Sequence, residues 1–375
     1  MEYIFSAPGR TEISGNHTDH QHGCVLAGAV DLETVARVTL RDDGIIRVAS
    51  EGYAPVEIGV SDLAMREEEK NTTAALIRGV AANFAKRGAK LRGFDAAVSS
   101  TVLPGSGLSS SAAFEVLIGT IINELFFDKG CTPVEVAQIG QWAENVYFGK
   151  PCGLMDQTAS SVGGMVFIDF NDPKAPIVER LDFDFAAAGH ALCIIDSGAD
   201  HADLTEEYAA IPGELKTVSA FFGKDVLRDI PEADFFEKLP QLYGKVSDRA
   251  ILRAIHFYQE NARVQAQAAA LKRNDFDAFL RLATESGRSS WMYLQNITPA
   301  GYKEHQAVGV TLALCDTLLG GRGAFRVHGG GFAGTVQAFV PKDMLEDFKQ
   351  GIERVLGEGS CHVLSIRPEG GIRVK

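Results

Sequence analysis

Six cysteines are all that the 375 residues contain, and Cys24, Cys131, Cys152, Cys193, Cys315 and Cys361 stand singly, with no C-x-x-C pair. That spacing excludes a disulfide framework and describes reduced thiols in a cytoplasmic setting, each a small buried apolar side chain. Positive charge is also short. Lys and Arg number 36 against 49 Asp and Glu, a net charge of −13, and no stretch gathers the basic residues needed to neutralise a run of phosphates. Nucleic acid is thereby excluded as a partner. Long hydrophobic runs are missing too: the start, MEYIFSAPGR, has no basic flank leading into an apolar stretch, and Phe114 to Phe127 is broken by Glu115, Asn123 and Glu124. Neither a targeting segment nor a membrane span is expected. Repeats, linkers and low-complexity tracts are absent as well.

What is present is the mixture of a globular protein, 46% hydrophobic and 23% charged with 39 glycines. Single cores stop growing beyond roughly 250–300 residues, so two domains with a cleft between them are expected. Glu2 to Ser50 carries short β-branched runs broken by Gly and Asp-Asp-Gly and reads as antiparallel strands. The spacing of Leu76, Ile77, Val80, Ala81 and Phe84 predicts a helix over 72–87. A strand at 94–102 leads through a Gly/Ser loop into a helix from Ser110, and Thr132-Pro133 opens another helix reaching about Phe148. Strands follow at 165–170, 177–183 and 191–196. Helices dominate from Leu204 to about Leu318, before strands at 324–328 and 335–340, a helix over 342–356 and strands near 362–365 and 371–374. The boundary is placed near Asp184, giving domains 1–184 and 185–375.

Three motifs and one further segment carry chemistry. The loop Pro104 to Ala112, PGSGLSSSA, lets backbone N–H groups approach a ligand and ends on a helix N-terminus, a combination suited to phosphate. It lacks the lysine of G-x-x-x-x-G-K-[ST], so hydroxyls must help hold Mg²⁺ or phosphate. Ala7-Pro8-Gly9-Arg10 followed by GNHTDHQHG concentrates polar groups suited to a small molecule; the order of His17, Asp19, His20 and His22 is wrong for zinc. The run RVHGGGFAG from Arg326 formally contains G-x-G-x-x-G, but a strand follows where a dinucleotide site needs a helix, leaving a turn against a phosphate or helix end. In ENVYFGKPCGLMDQ, Glu144 and Asp156 could divide metal binding from proton handling.

Together the motifs P-G-R, H-T-D, G-S-G-L-S-S-S-A, C-G-L-M-D-Q and G-G-G-F-A-G, in this order over nearly the whole chain, resemble the superfamily of small-molecule kinases named after galactokinase, homoserine kinase, mevalonate kinase and phosphomevalonate kinase, the GHMP kinases. Within it the resemblance is to the galactokinase family. It implies an α+β fold in two domains, with ATP and a sugar meeting in the interdomain cleft and a sugar 1-phosphate as product. By the same resemblance Asp156 lies beside the anomeric hydroxyl and Arg10 stabilises that carboxylate and the moving phosphoryl group. Gly105, Ser106, Gly107, Leu108, Ser109, Ser110 and Ser111 wrap the triphosphate, while Ser111, or its neighbour Ser110, and Glu144 match the Mg²⁺ ligands. Asn16, His17, Asp19, Gly153 and Tyr208 fall on the sugar.

The chain departs from the family pattern at the substrate edges. Asn16 stands where Glu usually meets the sugar's primary hydroxyl, His20 where Tyr is usual, and Thr73 where a tryptophan near the adenine is common; His328 and Ala333 alter the third motif. Alternative substrates are N-acetylgalactosamine, L-arabinose and a galacturonate-type sugar. A non-catalytic sugar sensor on the same scaffold is disfavoured by the intact Gly/Ser loop and by Arg10, Glu144 and Asp156.

Overall fold

The computed structural model describes residues 1–102, 107–150, 152–199, 204–332 and 334–375. Its strands are β1 (Glu2–Ser14), β2 (Cys24–Arg41), β3 (Ile45–Ser50), β4 (Val56–Gly59), β5 (Gly93–Ser100), β6 (Met165–Asp169), β7 (Ile177–Leu181), β8 (His190–Asp196), β9 (Ala324–Val327), β10 (Thr335–Pro341), β11 (Cys361–Leu364) and β12 (Ile372–Arg373). Among the described residues they form two sheets. The larger has the order β12-β1-β2-β5-β3-β4, with β6 pairing both β2 and β7, and the smaller has the order β11-β8-β10-β9. The division expected at 184 falls in the turn joining β7 to β8, and β12 crosses it to return to the first sheet. The strands expected as antiparallel over Glu2 to Ser50 do pair so, β1 with β2 and β3 with β4, while β3 also pairs with β5, beyond that range, in parallel. A parallel partner needs a long crossover, and residues 51–92, which include β4 and a helix, supply it.

The helices are α1 (Thr73–Lys86), α2 (Ser110–Phe126), α3 (Pro133–Trp142), α4 (Met155–Val162), α5 (Thr205–Phe221), α6 (Glu232–Leu242), α7 (Asp248–Lys272), α8 (Phe276–Ser289), α9 (Ala307–Leu319) and α10 (Leu345–Leu356). Helix α3 starts where Thr132-Pro133 announces it, on a capping box in which Thr132 and Glu135 satisfy each other's backbone N–H groups. Its expected run to Phe148 changes at Ala143 into a wider π-helical turn, Ala143–Phe148, which carries Glu144. Such turns are commonest at functional sites.

Strand β1 is bent where its chemistry lies. Pro8 has no N–H to give the ladder, and the register with β2 slips between Pro8 and Arg10 and again between Glu12 and Ser14. Bulges of this kind re-aim side chains, and here they bracket Arg10. One core cluster packs between the first sheet and α1 to α3. Another spans both sheets, joining Ile13 and Leu26 to Val264 on α7, Phe279 on α8 and Phe339 on β10. Phe279 is fully buried, with its ring 5.0 Å from Phe339 and 5.4 Å from Phe276. Truncating it removes those contacts and leaves a cavity that two sheets and a helix cannot all close. Phe279→Ala is therefore expected to cost about 3–5 kcal/mol, read as a lowered midpoint in denaturant unfolding.

Candidate active site

The end of β1, the start of α2 and the start of α4 meet at Arg10. Its guanidinium grips Asp156 with two parallel hydrogen bonds, Nε to Oδ1 and Nη2 to Oδ2, both at 2.7 Å. Nη1 donates to the carbonyl of Gly107, and the Arg10 backbone N–H donates to Leu108 O at 3.0 Å. Ser109 Oγ completes the knot, donating to Asp156 Oδ2 at 2.7 Å. Arg10 is buried, whereas the Asp156 side chain keeps 30% of its surface open. Burial pushes the Asp156 carboxyl upward, but the charge and hydrogen bonds of Arg10, with the Ser109 hydroxyl, prevail and hold it below the ordinary value.

Ser109 is the N-cap residue of α2, yet its hydroxyl makes no cap bond. Spent on Asp156, it leaves the first-turn N–H groups of a 17-residue helix without a side-chain cap, where the helix dipole favours an anion. Gly107 (φ +72°) and Ser109 (φ +58°) both adopt the left-handed conformation that sharpens this turn. A Cβ on Gly107 would lie 2.5 Å from Thr335 Oγ1, so the turn rests directly on the third motif. Gly105 and Ser106 lie outside the described residues, as does Ala333.

Glu144 faces the same region from its π-helical turn. Gln157 Nε2 bridges it to Glu115, donating to Glu144 Oε2 at 2.9 Å and to Glu115 Oε2 at 3.0 Å. All three side chains are buried, and Glu115 Oε1 has no hydrogen-bond partner among the described residues. Burial raises both carboxyls, and the charge of Glu144 raises Glu115 further. Ser111 lies half-buried in the first turn of α2. Glu115 was not among the residues expected at the site, although a carboxylate inside an otherwise apolar helix was its signal. Among the described residues, no group of three His, Cys, Asp or Glu side chains is arranged around a metal position, and the zinc reading of His17 to His22 finds no support.

Of the remaining residues, His17, Tyr208 and Asn16 meet the third motif, while Asp19 and Gly153 meet each other. His17 Nε2 donates to Gly330 O at 3.0 Å, and burial brings its pKa down to about 3, so the ring is neutral. Tyr208, on α5, donates its hydroxyl to Gly331 O at 3.0 Å and sets its ring edge-on to Phe332. Asp19, in a short 3₁₀ turn, stands over Gly153: a Cβ there would fall 2.0 Å from Asp19 Oδ2, so any larger residue would displace the Asp19 carboxylate. Gly153 in turn lies two residues before the start of α4 and three before Asp156. Asn16 was expected to face the sugar, but its side chain is fully buried and hydrogen-bonded within the protein.

Glu260, which no motif pointed to, and His328 of the third motif fix the base of this loop. Glu260 on α7 accepts from Gly15 N and Ser14 Oγ at 3.2 Å and from Ser286 Oγ at 2.6 Å, and it pairs with Arg263. His328 is neutral, its pKa lowered well below the usual value by burial; its Nε2 accepts from Glu12 N and its Nδ1 donates to Thr335 Oγ1 at 2.8 Å.

A carboxylate clamped by a guanidinium, beside an uncapped helix start and a glycine-rich turn, on two sheets in this order, is the architecture of a GHMP kinase. The family model described as GHMP kinases N terminal domain matches residues 75–164, and that described as the galactokinase galactose-binding signature matches residues 1–40. A galactokinase of Streptomyces coelicolor is 34% identical over 99% of this chain and 94% of its own length. The chain belongs to the galactokinase family. Its fold is that of Lactococcus lactis galactokinase in complex with galactose, at a TM-score of 0.84, 22% identity and coverage of 100% of this chain and 95% of that one. The mevalonate kinase of Methanococcus jannaschii shares the fold at a TM-score of 0.68 and 13% identity, with 99% of each chain covered.

The position of Glu260 sets a pH dependence. Burial pushes its carboxyl up, but Arg263 and Arg326 outweigh that and hold it at about 2, against 4.5 for a free glutamate. A carboxyl depressed on folding stabilises fully above its unfolded pKa, and the contribution is lost as pH falls from about 4.5 toward about 2. Glu260→Gln is expected to unfold at lower temperature than the parent at neutral pH, with the gap narrowing through that acid window. Thermal unfolding at a series of pH values checks it.

Proposed function

We propose that the chain transfers the γ-phosphoryl group of ATP to the anomeric hydroxyl of galactose, giving galactose 1-phosphate. The observation that carries this reading is the Arg10–Asp156 clamp set against the Gly107–Ser111 turn, in a chain of the galactokinase family. The cleft between 1–184 and 185–375 is the assigned meeting place of the two substrates. We place the triphosphate on the uncapped first turn of α2 and on the Gly/Ser loop, and the sugar against His17, Asp19, Gly153 and Tyr208. Six free thiols, five of them buried, suit a reducing cytoplasm, and none of the described helices is long and apolar enough to cross a membrane.

The chemistry assigned to each side chain follows from its state. Asp156 is ionised, and its clamped carboxylate is too weak a base to strip an alcohol before attack. It orients the anomeric hydroxyl as a hydrogen-bond acceptor and takes the proton late, as the oxygen bonds to phosphorus. Arg10 fixes the carboxylate and offers positive charge where the phosphoryl oxygens gain negative charge.

Mg²⁺ fits the neighbouring residues. Glu144 and Glu115 are buried carboxylates bridged by the Gln157 amide, and Glu115 Oε1 is left without a partner among the described residues, so carboxylate oxygens suited to a hard dication are at hand. Ser111, or Ser110, and Glu144 would hold the ion, which neutralises phosphate charge when bound.

Purified protein with Mg·ATP and a panel of galactose, N-acetylgalactosamine, L-arabinose and galacturonate tests the reading by ADP release and by ³¹P NMR of the product. Galactose should be turned over with the highest kcat/KM, and inactivity on every sugar would overturn the assignment. Asp156→Ala is expected to lower kcat about 10²- to 10⁴-fold while sugar binding, measured calorimetrically, changes little. Glu144→Gln should raise the Mg²⁺ concentration for half-maximal rate about tenfold.

A further inference from the structure

Asn16 occupies the place that the family resemblance gives to a glutamate on the sugar's primary hydroxyl, yet its side chain has no exposed surface. Nδ2 donates to Gly329 O at 2.5 Å and to Glu12 Oε1 at 3.2 Å, and Oδ1 accepts from Asn296 Nδ2 at 2.7 Å and Ser290 Oγ at 3.3 Å. A carboxamide has two donor hydrogens and two acceptor lone pairs, and here all are spent on the protein.

The carboxylate of this locale comes instead from Glu12, near the end of β1 and four residues before Asn16. Its Oε1 also accepts from Arg326 Nη2 at 2.8 Å, and neither side chain is more than 5% exposed. A glutamate at position 16 would bring no donor for Gly329 O and would set a second carboxyl group against Glu12 in a desolvated pocket.

We propose that Glu12 and Asn16 act as one pair: Glu12 supplies the buried carboxyl group that meets Arg326, and Asn16 is a positioning residue that straps the glycine loop and does not read the sugar's primary hydroxyl. Three successive carbonyls of the loop are held. Gly329 O is taken by Asn16, Gly330 O by His17 and Asn296, and Gly331 O by Tyr208. Beyond this edge, His328 and Thr335 form the surface on which Gly107 rests. The strap therefore joins the sugar-facing residues to the phosphate-facing turn, and loosening it acts on both substrates.

The proposal rests on the galactose kinase reading, and its test separates the two. Steady-state kinetics of the full chain and of Asn16→Ala are measured with galactose and with 6-deoxygalactose, which lacks the primary hydroxyl. A strap predicts that kcat/KM falls by the same factor on both sugars, about tenfold for lost buried hydrogen bonds, and that KM for ATP rises as well. A loss confined to galactose, with 6-deoxygalactose and ATP unaffected, would show a direct contact and overturn the proposal.

Thermal unfolding of Glu12→Asn, Asn16→Glu and the double variant provides a second arm. Each single change should lower the midpoint, and the double variant should recover most of the combined loss because one carboxyl and one amide again face each other. Additive losses in the double variant would overturn the pair. If the parent turns over neither sugar, the galactose reading fails and the unfolding cycle alone decides the pair.

Discussion

The two parallel hydrogen bonds between Arg10 and Asp156 set the conditions for everything around them. A forked guanidinium on a carboxylate is specific in geometry as well as in charge, and it demands that a strand end and a helix start be held in fixed register. The double slip of β1 around Arg10 and the glycine before α4 meet that demand. Ser109 is recruited to the same carboxylate, and because its hydroxyl is spent there, the start of α2 stays uncapped. One ion pair thus explains a strand irregularity, a helix end left unsatisfied and the acidity of the residue assigned to the transfer. Losing either partner would leave the other as an unbalanced charge, Arg10 in a nearly closed site.

The third motif is a turn made rigid by its neighbours. Two of its glycines are required by close approach: a Cβ on Gly330 would enter the ring of Tyr208, and one on Gly331 would strike Asn296 O. The side chains that hold it come from the loop after β1, from α5 and from the segment after α8. Buried polar groups this numerous are costly unless satisfied, and most of these find partners, so the arrangement has little freedom to relax.

Much of this was legible in the order of residues. The apolar spacing of Leu76 to Phe84 marked α1, Thr132-Pro133 marked the start of α3, and the Gly/Ser run marked the start of α2 at Ser110. Arg10 and Asp156, 146 residues apart, could be joined only through the family resemblance, since nothing local to either records the other. Glu115, Glu12, Arg326 and Glu260 were illegible as a group. Each is a charged residue in an element that reads as core, and its justification is a partner far along the chain. Asn16 shows the opposite difficulty. Its motif context assigned it outward, whereas the competition among Glu12, Asn296 and Gly329 O for its amide turned it inward. The parallel pairing of β3 escaped for a related reason, because strand direction depends on the crossover through α1 and not on the strand's own residues.

Strand β12 lays Ile372 and Arg373 alongside Ser6 and Phe5, at the flank of the sheet that carries Arg10. During synthesis that flank stays bare while nearly all the intervening chain is made, and the N-terminal sheet waits with an open row of amides and carbonyls. Pairings of such sequence separation form late. The machinery that moves the phosphoryl group is thus framed by a strand translated long after it, and a fragment that stops short of β12, however well collapsed, lacks the border strand that finishes its first layer.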